Sequence, residues 1–267
     1  MNNIHIAFLL IISVFANARA QFGHRIMLEQ NYRDITDIRL ADLNNDGLKD
    51  IITSKNTAPD RISVYYNQGN GSFGAEHVIR EGIYNPRSLA TADVNSDGRE
   101  DIITASYKMA NQSDSLYVLI NNAGNNFTPV VIDTQNNILH KIFKVATADA
   151  DNDSDADIVT VSDTQLLVFY NDGNGNFTKH IVALDGSIEI YDLALADLEG
   201  DNFPEIIVGS VTVRIYKNTN GVFSLDGTCS GTICNTGIVT LVHTEDIDND
   251  GDEDLIITGN NDSDLRL

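Results

Sequence analysis

Positive charge is scarce in this sequence. Only 17 lysines and arginines stand against 39 aspartates and glutamates in 267 residues, a formal charge of −22. That balance argues against nucleic acid or an anionic membrane surface as a partner. Long apolar runs are also missing after the first twenty residues, so no further segment reads as a membrane helix. No apolar run keeps a 3.6-residue period, which excludes helical solenoids. Cysteine is nearly absent. Cys229 and Cys234 stand in the Gly-rich stretch SLDGTCSGTICNTG, where a local disulfide would stiffen a loop and metal binding by two lone thiols is the weaker alternative. A nucleophile elbow, a His-rich metal motif and a phosphate-cradling loop are all lacking, so the chain is not expected to be an enzyme. Disorder does not explain the acidity, because 42% of the residues are hydrophobic and recur in strand-length runs.

The first twenty residues, MNNIHIAFLLIISVFANARA, hold an apolar run from Ile6 to Ala16 and end in the A-x-A signature Ala18-Arg19-Ala20. They read as a signal peptide (1–20), too short to span a bilayer, and imply a secreted or cell-surface protein over residues 21–267.

The rest of the chain repeats. Asp42 opens DLNNDGLKD, and the pattern returns from Asp93 (DVNSDGRED), Asp149 (DADNDSDAD), Asp197 (DLEGDNFPE) and Asp246 (DIDNDGDED), at spacings of 51, 56, 48 and 49 residues. An apolar segment precedes each loop and a β-branched run such as DIIT follows it. A third apolar run, for example Leu166 to Tyr170, leads through an Asn/Gly turn such as NDGNGNF to a Phe and a fourth strand. Four strands per fifty-residue unit, apolar at nearly every position, predict sheets covered on both faces, and a radial stack of four-stranded blades supplies that cover. The expected fold is therefore an all-β propeller. Residues 21–29 align with the outer strand of a unit and the fifth unit stops early. Five blades closed by that first strand are one option; a piece of a larger ring, such as a seven-bladed one, with further units missing is the preferred expectation.

Hard divalent cations take six to eight oxygens, and calcium accepts them from flexible acidic loops. Side chains at loop positions 1, 3, 5 and 9, with the carbonyl of position 7, would wrap one ion. The candidates are Asp42, Asn44, Asp46, Leu48 and Asp50; Asp93, Asn95, Asp97, Arg99 and Asp101; Asp149, Asp151, Asp153, Asp155 and Asp157; Asp197, Glu199, Asp201, Phe203 and Glu205; and Asp246, Asp248, Asp250, Asp252 and Asp254. Position 6 must turn sharply, which accounts for Gly47, Gly98 and Gly251. Position 12, where a helix-loop-helix calcium site needs a bidentate Glu, is Thr53, Thr104, Thr160, Val208 or Ile257, so these are hairpin loops instead. Eighteen carboxylates at positions 1, 3, 5 and 9 exceed what a turn needs. Up to five calcium ions in a structural role are expected, with the 197–205 loop the weakest site because Glu199 and Glu205 alter ligand reach. Ser154 replaces the expected Gly in the third loop. The NDGNGNF-type turns read as plain hairpin turns, His24, His77 and His180 as surface residues, and the third-strand tyrosines as packing rather than sugar-stacking groups.

In these loops, and in the N-x-G-x-G-x-F turns such as Asn67 to Phe73 and Asn171 to Phe177, residues 21–267 resemble the FG-GAP/VCBS repeat proteins, which include the N-terminal propeller of integrin alpha subunits. The resemblance implies a calcium-stapled propeller, commonly extracellular and used for adhesion or ligand recognition. A secreted binding or adhesion module for a glycan or protein is the first expectation. A supporting part of an exported polysaccharide-degrading enzyme is the second, and a purely structural repeat of a surface protein the third.

Overall fold

The computed structural model describes residues 28, 35–56, 58–106, 114–135, 142–162, 165–184, 190–228, 239–247 and 253–259. The leader, nearly all of the 21–29 strand, Cys229, Cys234 and residues 248–252 of the fifth loop lie outside them.

Every described element is a strand. The first unit contains β1 (Ile35–Ala41), β2 (Asp50–Lys55), β3 (Arg61–Tyr65), the short ribbon β4 (Asn67–Gly69) and β5 (Ser72–Phe73), and β6 (His77–Glu81). The second has β7 (Pro86–Ala92), β8 (Asp101–Ser106), β9 (Asp114–Asn121) and β10 (Phe127–Gln135). The third has β11 (Ile142–Ala148), β12 (Asp157–Ser162), β13 (Gln165–Asn171) and β14 (Phe177–Leu184). The fourth has β15 (Asp192–Ala196), β16 (Glu205–Gly209), β17 (Val213–Thr219) and β18 (Val222–Thr228), and β19 (Val239–Glu245) pairs with β20 (Asp254–Gly259) in the fifth. Each of the first four units is one antiparallel meander of four strands, as the repeat predicts.

The uniformly apolar strands have the cover they require. In β8, Ile102 joins Ala41, Leu43, Ile52, Ile62 and Leu119 in a cluster between the first and second sheets. Its neighbour Ile103 points the other way, into a cluster with Val118, Val145, Ile158 and Phe169 between the second and third. The pattern repeats between the third and fourth sheets around Val159, Val168, Ile206 and Tyr216, and between the fourth and fifth around Ile207, Val239 and Ile257. Successive side chains on a strand face opposite ways, so a strand held between two layers is apolar throughout. Full burial of each such side chain contributes about 1.5–3 kcal/mol. The tyrosines serve this packing: Tyr65 and Tyr216 are buried, while Tyr66, Tyr117 and Tyr170 are half-buried against the same clusters. His77 and His180 sit on the outer strands β6 and β14.

The first strands of successive units stand side by side in chain order, β1 with β7, β7 with β11, β11 with β15 and β15 with β19. Side chains link them across the sheet boundaries. Asp37 Oδ2 accepts the amide of Leu89 at 2.8 Å, Ser88 Oγ that of Val145 at 3.2 Å, and Asp192 Oδ2 that of Val242 at 2.9 Å. The acidic loops of the four complete units thus leave the same end of this row, and the starts of those units lie at the other.

Candidate functional site

Each acidic loop connects the first strand of its unit to the second, and the four fully described loops share one hydrogen-bond plan. The position 1 carboxylate accepts two loop amides: Asp149 takes those of Asp153 at 3.0 Å and Ser154 at 2.9 Å, and Asp42, Asp93 and Asp197 do the same in their loops. The position 5 aspartate, Asp46, Asp97, Asp153 or Asp201, accepts the amide of position 7 at 2.9 to 3.0 Å. A carboxylate oxygen has two lone pairs, so accepting an amide leaves it able to meet a cation. In the third loop, oxygens of Asp149, Asp151 and Asp153 lie within 4.8 Å of one another. Asp151 Oδ1 is buried with no hydrogen-bond partner, an arrangement costly for a carboxylate left to itself.

Position 9 is more than a candidate ligand. Asp50, Asp101, Asp157 and Glu205 are essentially inaccessible to solvent, and each joins two backbone segments. Asp157 accepts the amide of Ala150 at 2.8 Å and that of Asn171, at the end of the third strand, at 2.7 Å. The same pair of bonds runs from Leu43 and Asn67 to Asp50, from Val94 and Asn121 to Asp101, and from Leu198 and Asn218 to Glu205. In the fifth loop Asp254 accepts the amide of Ile247 at 3.0 Å.

Burial, aided by the neighbouring loop carboxylates, pushes the Asp101 carboxyl up to about 6 and that of Asp157 to about 7, even though both accept amides. Asp50 and Glu205 are raised for the same first reason. A group whose pKa is higher folded than unfolded holds extra protons in the fold between the two values, so stability grows as pH falls through that window. In EDTA the protein is therefore expected to melt at a higher temperature at pH 5 than at pH 8. Asp157→Asn should narrow that gap, and melting curves that leave it unchanged would count against the assignment.

The turn stereochemistry follows the side chains available. Gly47 and Gly98 take φ of +85° and +80° at position 6, and Asn202 takes +68°. Ser154 is held at +76°, where an L side chain costs about 1–2 kcal/mol. Ser154→Gly should raise the melting temperature by a few degrees, read by calorimetry; a fall would show that the serine hydroxyl compensates. Position 4 is left-handed as well, at Asn45, Ser96, Asn152 and Gly200, which the repeat alone did not reveal.

Each of the first three loops is completed by the next unit. Asn121 Nδ2 donates to the Leu43 carbonyl at 2.8 Å, Asn171 to that of Val94 at 2.8 Å, and Asn218 to that of Ala150 at 2.7 Å. All three asparagines are buried and open the hairpin turns. Those segments are hairpin turns as expected, yet their first residue clamps neighbouring units together. A recurring Asn at 67, 121, 171 and 218 was the available signal. The turn of the fourth unit lies so close to the third loop that a Cβ on Gly221 would come within 2.7 Å of the Asp151 Cβ. Tyr170 donates its hydroxyl to the Gly221 carbonyl. This cover is what encloses Asp151.

At two of the loops a cationic side chain is paired with a candidate ligand carboxylate. Arg99 Nη2 lies 2.5 Å from Asp97 Oδ2 while its Nε donates to the Asn121 carbonyl at 2.9 Å. In the fourth loop Lys217 Nζ meets both oxygens of Glu199, at 2.6 and 2.5 Å.

At the opposite end of the first strands lies an open cavity of about 570 Å³. Its lining includes Asn56, Asn85, Arg87, Lys144 and Tyr191, drawn from all four complete units, and no described lining residue is acidic. Asn56 Nδ2 donates to Asn85 Oδ1 at 3.2 Å, and Lys144 Nζ lies 3.1 Å from Asp192 Oδ1. A smaller cleft of about 260 Å³ continues along the inner strands past Lys144, Thr147 and Asp192. Sequence reasoning missed this cavity, because its residues stand singly in separate units.

An FG-GAP-like repeat model matches residues 42–104 and 149–208, which cover the first and second loops and the third and fourth. No curated protein matches the chain. Among solved structures, an Agrocybe aegerita lectin, described as recognising non-reducing terminal N-acetylglucosamine, aligns over 88% of this chain at 20% identity with a TM-score of 0.61. The alignment spans 65% of the lectin's length. A Photorhabdus luminescens Tc holotoxin pore aligns over 88% of this chain and 11% of its own at 18% identity, with a TM-score of 0.46.

Proposed function

We propose that this chain, whose residues 42–104 and 149–208 match an FG-GAP-like repeat, works as an exported, non-catalytic binding module in which calcium stiffens the frame and the opposite end receives a glycan or protein ligand. Its four-stranded sheets would be successive blades of a propeller, since each is sandwiched between the next and their first strands stand in a row. The observation that carries the reading is the open cavity, to which four units contribute residues at the end away from the acidic loops. Its size falls in the range of small-ligand sites. The sugar recognition described for the lectin of similar fold supports a glycan as the first ligand to try.

Calcium is the cation that the loop donors suit. They are oxygens only, and the unpartnered buried Asp151 Oδ1 is an acceptor that a hard cation would satisfy. Positions 1, 3, 5 and 9 with the position 7 carbonyl would hold it, and the ion would neutralise carboxylates that otherwise repel one another. No helix among the described residues is long and apolar enough to cross a membrane. The leader at residues 1–20 supports export. Glycan-array and pull-down screens with calcium present test the proposal. A ligand retained above background, and lost when the cavity residues are replaced, is the expected result; no ligand in either screen overturns it.

A further inference from the structure

We propose that the fourth acidic loop holds the ammonium of Lys217 in place of a metal ion, and so keeps its order when the other loops lose theirs to a chelator. The inference rests on the calcium reading and narrows it at one loop.

The third and fourth loops invite comparison, because both carry carboxylates at positions 1, 3, 5 and 9. Their backbones follow one plan. Asp149 and Asp197 each accept the amides of positions 5 and 6, and Asp153 and Asp201 each accept that of position 7. Their side chains diverge. Asp149, Asp151 and Asp153 bring oxygens within 4.8 Å of one another, and no other three acidic side chains among the described residues do so. Asp197, Glu199 and Asp201 are described residues and do not converge in this way.

The divergence lies at position 3. In the first two loops Asn44 Oδ1 accepts the amide of Asp46 at 3.0 Å and Asn95 Oδ1 that of Asp97 at 3.2 Å, so the side chain folds toward position 5. In the third, Asp151 is half-buried and its Oδ1 has no hydrogen-bond partner. Glu199 is exposed instead, and both its oxygens lie on Lys217 Nζ, at 2.6 and 2.5 Å.

A second departure supplies the cation. The position before the buried turn asparagine is Tyr66, Ile120 and Tyr170 in the first three units and Lys217 only in the fourth. Tyr170 spends its hydroxyl on the Gly221 carbonyl and brings no charge to its loop. Lysine at the same place carries a compact positive charge with three donors. The longer Glu199 and the unusual Lys217 thus meet as one ion pair. Exposed as it is, such a pair adds little stability of its own. Its effect is to occupy both oxygens of one ligand and to set a positive charge across that carboxylate from any metal ion, which it would repel. Arg99 in the second loop is a different case, because its Nε is held by the Asn121 carbonyl and it meets one oxygen of Asp97.

Bound calcium would be counted after gel filtration in four proteins: the wild type, Asp197→Asn, the paired variant Glu199→Asp/Lys217→Tyr, which copies Asp151 and Tyr170 of the third unit, and the paired variant with Asp197→Asn added. Wild type and Asp197→Asn should hold the same number of ions. The paired variant should gain one and the triple variant lose it again. Loss of an ion on Asp197→Asn, or no gain in a folded paired variant, overturns the proposal. Hydrogen exchange on the wild type needs no variant to fold. On adding EDTA, the amides of Asp153, Ser154 and Asp155 should exchange faster by about tenfold or more, and those of Asp201, Asn202 and Phe203 by less than about twofold. Equal acceleration in the two loops overturns the proposal. A wild type that binds no calcium would sink the calcium reading and the proposal with it.

Discussion

Chelating calcium is expected to lower the melting temperature of this protein by about 15–30 °C. A cation that binds only the folded chain stabilises it by about 2.7 kcal/mol per site at a hundred times its dissociation constant. Three occupied loops would therefore contribute about 8 kcal/mol, and in a domain of this size each kcal/mol shifts the transition by about 2–4 °C. The effect is large because the loops cannot hold their own charge. Asp149, Asp151 and Asp153 converge within 4.8 Å, and ion removal leaves that repulsion uncompensated. Thermal melts in excess calcium, in EDTA and in EDTA with magnesium would check it. Magnesium demands a tighter octahedral shell and should restore less of the loss. A melting temperature indifferent to EDTA would show that the loops are only polar turns.

Asp157→Ala is the second large effect, and it should survive in EDTA. The carboxylate is buried and accepts the amides of Ala150 and Asn171. Removing it strands two buried donors, at about 1–3 kcal/mol each, and leaves a cavity, so a loss of about 3–6 kcal/mol is expected. Asp157→Asn keeps one acceptor oxygen and should lose roughly half as much. Urea unfolding in EDTA separates this role from any metal. A loss below about 1 kcal/mol would mean that water replaces the carboxylate.

The sequence made the strand plan legible because its signals are local. Asx/Gly loops, β-branched runs and N-x-G turns recur at a fixed spacing, and each acts within a few residues of itself. The expectation that strands such as β8 are covered on both faces also followed from composition, since Ile102 and Ile103 could not both be apolar on a half-exposed strand. Contacts between units were not legible. Asn171 looked like an ordinary turn residue, and only the arrangement of neighbouring sheets puts its amide against the Val94 carbonyl. Position 9 was read as one more ligand, while its burial and two amide bonds depend on the third strand returning beside the loop. Lys217 was an unremarked member of KNTNGVF until the structure set it on Glu199. The cavity is the extreme case, since Asn56, Arg87, Lys144 and Tyr191 carry no shared pattern along the chain.

The asparagine clamps all point the same way along the chain, each reaching from one unit to the loop of the unit before it. The acidic loops are consequently not self-sufficient, unlike a helix-loop-helix site that carries its whole shell within one segment. One unit cut from the array would offer a loop with a wall missing, and its ion affinity should fall although every ligand is present. Damage would spread backward as well: a broken turn in the fourth unit would loosen its own loop at Glu205 and Pro204 and also open the acidic loop of the third at Ala150.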